Sequence, residues 1–134
     1  MTRNGKSKSI YPRGASKKYL DQLWSQQVKA RALLKCELCG STQGLNAHHI
    51  HTRHNHSVRW YLPNGVCLCN ECHQANKFSA HKNPLWFASE MRKLRGVEWE
   101  EELIQRTAKC FPWQKHLLEI KAYLKGEIDD YLCM

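Results

Sequence analysis

The chain has 134 residues and a mass of 15.7 kDa, the size of one domain or of one small domain with helical decoration. Charged residues make up 25% and the hydrophobic set 42%, so a folded soluble protein is expected rather than a disordered chain. Twenty-one Lys/Arg against twelve Asp/Glu give a formal charge of +9, which favours polyanionic partners. No apolar run approaches the roughly 18 residues of a membrane span, and the basic N-terminus has no apolar stretch behind it. Neither a transmembrane segment nor a secretory signal is expected, and the expected compartment is the cytoplasm.

The charge is uneven. Residues 1–35 hold nine Lys/Arg and one acid, residues 36–83 four and two, and residues 84–134 eight and nine. Three segments are expected: a mobile basic arm over 1–15, a helix and a Cys/His-rich core over 16–83, and a helical extension over 84–134. From Ser16 to Leu34 the pattern is helical. Leu20, Trp24 and Val28 recur every four residues, with Leu23 and Leu34 near the same face. Lys17, Lys18 and Arg31 fall on the other faces. Each alone reads as a solvated side chain, but the summed charge points to phosphate contact.

Seven of the eight His and five of the seven Cys lie within 36–83. Cys36-x-x-Cys39 and Cys69-x-x-Cys72 are two pairs with the spacing that offers four thiolates to a tetrahedral Zn²⁺. With no secretion signal, metal binding is favoured over disulfides. The spacer of 29 residues is longer than the about 15–20 of a compact zinc ribbon, so folded structure is expected inside it. Cys67 would share a strand face with Cys69 and is the rival ligand. Within the spacer, Leu45 to Ile50 reads as one strand. Asn64-Gly65 is a turn signal, and Val66-Cys67-Leu68 reads as the second strand. A helix is expected from about Glu71 to Ala80. The fold class is therefore small α+β.

In the tail, Asn83-Pro84 pairs an N-cap with a proline at the first helical position. Phe87, Met91 and Leu94 make an apolar stripe that Gly96 ends. A second helix starts at Glu98, with Glu100, Glu101 and Glu102 near its start and Arg106 and Lys109 near its end. Pro112 interrupts, and Trp113, Leu117, Ile120 and Leu124 form a third stripe before Gly126. Trp86, Trp99 and Trp113 are expected to anchor the core.

The ordered set Cys36-x-x-Cys39, His48-His49-Ile50, Pro63-Asn64, Cys69-x-x-Cys72-His73 resembles the HNH (His-Asn-His) nucleases, in their four-cysteine zinc-containing branch of phage and bacterial type. The resemblance spans about Cys36 to Phe78. It implies a ββα-metal nuclease core flanked by the N-terminal helix and the helical extension. It implies that His48 and His73 hold a catalytic divalent metal, that His49 is the general base, and that Asn64 fixes the loop and the base ring. Cys36, Cys39, Cys69 and Cys72 would be a separate structural zinc site. Nuclease colicins of the family carry a further His one helical turn after the closing ligand. That position is Lys77 here, which could contact the DNA phosphate but cannot ligate while charged, and Asn76 is the candidate extra ligand. The implied activity is metal-dependent hydrolysis of DNA phosphodiester bonds, by nicking or by double-strand cleavage, leaving a 5′-phosphate and a 3′-hydroxyl. The implied partner is double-stranded DNA. One site cuts one strand, so a double-strand break would call for a homodimer or two events.

The chemistry is reasonable on its own terms. A neutral imidazole, with an unperturbed pKa of about 6.5, can take a proton from water at pH 7. A divalent metal held by few side chains keeps positions open for a phosphate oxygen and the leaving oxygen. Imidazole ligands suit Mn²⁺, Ni²⁺ or Zn²⁺ better than Mg²⁺. On a regular strand, however, His48 and His49 face opposite sides, so one shared site calls for a twist or bulge at the strand end. His51 shares the face of His49 and is the rival base. His51, His54 and His56 lie in one loop with Arg53 and Arg59, read as solvated or as contacting the DNA backbone. The alternative function is a non-catalytic zinc-dependent DNA-binding protein, or a phage accessory in packaging or replication.

Overall fold

The computed structural model describes residues 12–132. Most of the expected basic arm therefore lies outside the described residues.

The first helix, α1 (Lys17–Arg31), begins where the Ser16 hydroxyl accepts the Tyr19 backbone N–H at 3.2 Å. It buries Leu20, Trp24 and Val28, the stripe that the four-residue spacing predicts. Leu34 departs from that stripe. Leu33 and Leu34 both sit at φ +56°, leave the helix and stand exposed.

Two strands, β1 (Asn46–His49) and β2 (Gly65–Leu68), pair antiparallel with Asn46 opposite Leu68 and His49 opposite Gly65. The pairing is regular, so alternate residues face opposite sides. Cys67 joins a core with Leu20, Trp24, Val28 and Trp60, with Ala47 packed against it. Val66 and Leu68 join a second core with Cys36, Cys69, Cys72, Phe87 and Met91. Gly65 lets α1 lie directly on the sheet. A Cβ there would collide with Val28 Cγ2 and would sit 2.7 Å from Trp24 Cζ2.

After β2 the expected helix over 71–80 does not form. One wide turn of π-helix covers Glu71–Ala75, closed by the Asn76 N–H on the Glu71 carbonyl at 3.1 Å. The chain then doubles back. Ala80 N–H donates to Cys72 O at 2.8 Å, and His81 N–H donates to His73 O at 3.0 Å.

The tail follows its local signals. In α2 (Pro84–Arg95) the Asn83 side chain accepts the Trp86 N–H at 3.1 Å. Gly96, at φ +92°, makes the corner into α3 (Val97–Thr107). A short 3₁₀ turn over Trp113–Lys115 leads into α4 (Leu117–Leu124). Leu117, Ile120 and Leu124 of α4 share the first core with α1, so the extension and the N-terminal helix are packed together. Trp24 and the fully buried Trp60 are the aromatic anchors; Trp86, Trp99 and Trp113 are only partly covered. The molecule is a small mixed α/β fold with a two-stranded sheet, several helices and a cluster of four cysteines. Among the described residues, no helix is long and apolar enough to cross a membrane.

Candidate metal centres

The sheet positions two clusters. The first is the four cysteines. Cys36, at the end of the turn after α1, joins Cys39, Cys69 at the end of β2, and Cys72 in the π turn. Their sulfurs all lie within 4.8 Å of one another. Cys39 Sγ and Cys69 Sγ are 3.5 Å apart, too far for a disulfide. Burial acts to raise the Cys36 thiol, but backbone N–H groups of Cys69, Cys39 and Leu38 outweigh it and bring the pKa to about 7. Burial pushes the Cys69 and Cys72 thiols up. Left to itself, such a cluster resists carrying several thiolates; a dication would neutralise them together. The group can therefore hold a structural metal such as zinc. Cys67 is outside it, in the core beneath α1, with its backbone N–H on Glu37 Oε2 at 2.7 Å.

The second cluster is three imidazoles. His48 on β1, His73 in the π turn and His81 on the returning segment bring ligand atoms within 4.8 Å of one another. His73 Nε2 and His81 Nε2 are 3.0 Å apart. The His48 ring meets both edge-on at 5.1 Å and is backed by Phe87 at 5.4 Å. Burial, with the neighbouring imidazoles, lowers the His48 pKa to about 4, and burial lowers that of His73. Both are therefore neutral at pH 7, the form that ligates. An all-nitrogen set with a half-buried, partly open setting suits a divalent transition metal.

His81 is the residue that sequence reasoning missed. On a continuous helix from Glu71, His73 and His81 would sit more than two turns apart. The doubling back after Ala75 puts their backbones side by side instead. Lys77 and Asn76 lie exposed in the intervening turn and are not in the imidazole group. The sequence signal was slight: His81 is the only His between His73 and His116.

His49 occupies the opposite sheet face. Its ring stacks on Trp24, with centroids 3.8 Å apart and planes 6° from parallel. Its Nε2 lies 2.9 Å from the Arg59 carbonyl. A carbonyl can only accept, so Nε2 carries the proton and Nδ1 keeps its lone pair. Burial lowers the His49 pKa, with the Arg59 carbonyl acting the other way.

Asn64 is fully buried just before β2. Its Oδ1 accepts the His51 N–H at 2.8 Å, and its Nδ2 donates to the carbonyls of His51 at 3.0 Å and Val58 at 3.2 Å. It thus closes the loop between the strands. The His49 ring is held by Arg59 and Trp24 instead. His51 and His54 are exposed on this loop, whereas His56 stacks on Trp113 at 4.4 Å.

The basic residues divide. Arg59 is not a free cation: Nε and Nη2 donate to Asp21 at 3.0 and 2.7 Å, and its side chain is 10% exposed. It braces α1 with its guanidinium and His49 with its carbonyl, so it is not the solvated side chain expected of the loop. Lys17 Nζ lies 4.7 Å from the Trp113 ring centre. Lys18, Arg31, Arg53 and Lys77 stand exposed.

Comparison of the chain with protein-family models, with curated proteins and with solved structures gave no match in any of the three.

Proposed function

We propose that this protein is a metal-dependent HNH-type endonuclease that hydrolyses phosphodiester bonds of double-stranded DNA. The observation that carries the reading is the pair of arrangements at one strand end: His48, His73 and His81 converging on one face, and His49 on the other with its tautomer set by Arg59. In this reading β1, β2 and the π turn are the ββα-metal core. The four cysteines hold a structural Zn²⁺ that fixes the π turn. His48, His73 and His81 hold the catalytic divalent metal. A divalent metal held there would supply Lewis-acid stabilisation of the charge that develops on the phosphate and on the leaving 3′ oxygen.

The chain's own groups do the rest. The scissile phosphate lies across the end of β1, so neighbouring His side chains on opposite faces both reach it and no bulge is needed. His49 Nδ1 takes a proton from the attacking water. The Arg59 carbonyl then stabilises the resulting imidazolium through Nε2–H, and the Trp24 face keeps the ring from rotating. Asn64 shapes the loop that presents His51, Arg53 and His54. No acid occurs between Glu37 and Glu71, so nothing in that segment repels a polyanion. A 5′-phosphate and a 3′-hydroxyl are the products.

The test is relaxation of supercoiled plasmid by wild type and by His49→Ala, with EDTA and with Mg²⁺, Mn²⁺, Ni²⁺ or Zn²⁺. Wild type should nick only with metal, and His49→Ala should bind the plasmid without cutting it. Binding by wild type with no cutting under any metal would replace this reading with a non-catalytic DNA-binding one.

A further inference from the structure

The chain turns from α1 toward Cys36 through two successive leucines at φ +56°. Glycine and asparagine adopt this left-handed conformation far more readily. The turn is nonetheless well tied. Leu33 and Leu34 donate their N–H groups to Ala30 and Lys29 carbonyls at 3.0 Å, and Cys36 N–H donates to Ser41 O at 2.8 Å. Leu33 is 79% exposed and Leu34 60%. A residue suited to the turn would be Gly or Asn, and a residue suited to packing would be covered. These two leucines meet neither description within the described chain.

Their surroundings indicate what covers them. Lys29, Arg31 and Lys35 flank the pair, and residues 22–36 contain no acid. The next acid, Glu37, is ion-paired with Arg95 at 2.9 Å. A second copy of this patch would bring like charges together, which disfavours self-association. The fitting partner is a polyanion that also offers a flat apolar surface. Duplex DNA has both, in its phosphates and its stacked base faces.

We propose that Leu33 and Leu34 form a wedge that enters a base step of duplex DNA while Lys29, Arg31 and Lys35 hold the flanking phosphates. The wedge deepens the DNA-directed reading above and rests on it. The hydrogen-bonded turn, continuous with the cysteine cluster, keeps the leucines from folding back as they meet the bases. Apolar side chains used this way partly unstack and kink the duplex.

The experiment uses the full chain and a set of duplexes carrying 2-aminopurine at successive steps, with no divalent metal added so that nothing is cut. Wild type should raise the fluorescence at one or a few steps. Leu33→Ala/Leu34→Ala should abolish that rise and weaken binding several-fold, with an unchanged dependence of affinity on salt. Lys29→Ala/Arg31→Ala/Lys35→Ala should flatten the slope of log affinity on log salt by about 2.7, at ~0.9 per phosphate contact. Leu33→Gly/Leu34→Gly relieves the backbone and guards against a folding artefact; it too should lose the rise, with a wild-type melt. Binding by wild type without a rise, or a rise unchanged in the leucine variants, would overturn the wedge. It would leave the nuclease reading standing if plasmid is still cut. Leucine-dependent binding to anionic vesicles, with no rise on DNA, would overturn it in favour of a membrane surface. A leucine-dependent rise without cleavage would support the wedge and strike only the nuclease reading.

Discussion

Neighbouring residues on a strand look to opposite sides of the sheet, and His48 and His49 use both sides. One joins a cluster of imidazoles; the other leans on Trp24 and a backbone carbonyl. That division was legible from strand geometry. The remedy expected from the sequence, a twist or bulge, is not what the regular pairing with Val66 and Gly65 shows. His81 was not legible, because its place depends on a chain reversal rather than on spacing. If it is a ligand, His81→Ala should weaken metal binding at the imidazole cluster by at least about 10- to 100-fold, the order seen when only a partner of a ligand is lost. Lys77→Ala should leave metal affinity near wild type. Titration with Ni²⁺ or Mn²⁺ by calorimetry separates the two, and equal affinities for wild type and His81→Ala would remove His81 from the ligand set. Arg59 was misread for a related reason: an arginine in a polar loop looks solvated until Asp21, on a distant helix, is placed beside it.

Elements with local start and stop signals were legible. Ser16, Asn83-Pro84 and Gly96 act through hydrogen bonds and dihedral angles within a few residues of themselves, so their sequence meaning survives folding. The segment after Cys69 was not, since the cysteine cluster and the packing of Ala80 outweigh its helical tendency. Where α1 lies on the sheet there is no room for a side chain at position 65. Gly65→Ala should destabilise the fold by about 1–3 kcal/mol, the range for overpacking a filled core. Because the displaced Trp24 also carries the His49 ring, cleavage should fall more than the loss of folded protein explains. Urea denaturation alongside plasmid cleavage checks both; a neutral effect on stability would mean that α1 moves freely on the sheet.

At the scale of the whole molecule, two cores lie on the two faces of one small sheet, and half-buried imidazoles lie beside them. His48, His49, His56 and His73 are all lowered, chiefly by burial. The unfolded chain protonates such groups below a pH of about 6.5, while the native state resists. The unfolded state therefore binds more protons in that window, and stability falls as pH drops. For the protein without added metal, the urea midpoint should decline as pH falls from about 6.5 toward 4, where His48 itself titrates. His48→Gln should make that decline shallower. A midpoint unchanged between pH 7.5 and 5 would mean that the native imidazoles carry protons.

Cys72 and His73 are consecutive residues, and they serve different clusters. The same turn that closes the cysteine group aims the imidazole, and the backbone of His81 is then aligned on that of His73. The geometry of the two clusters is therefore coupled through one turn. A substitution that loosens the cysteine group should therefore loosen the imidazole group with it, although the two share no ligand.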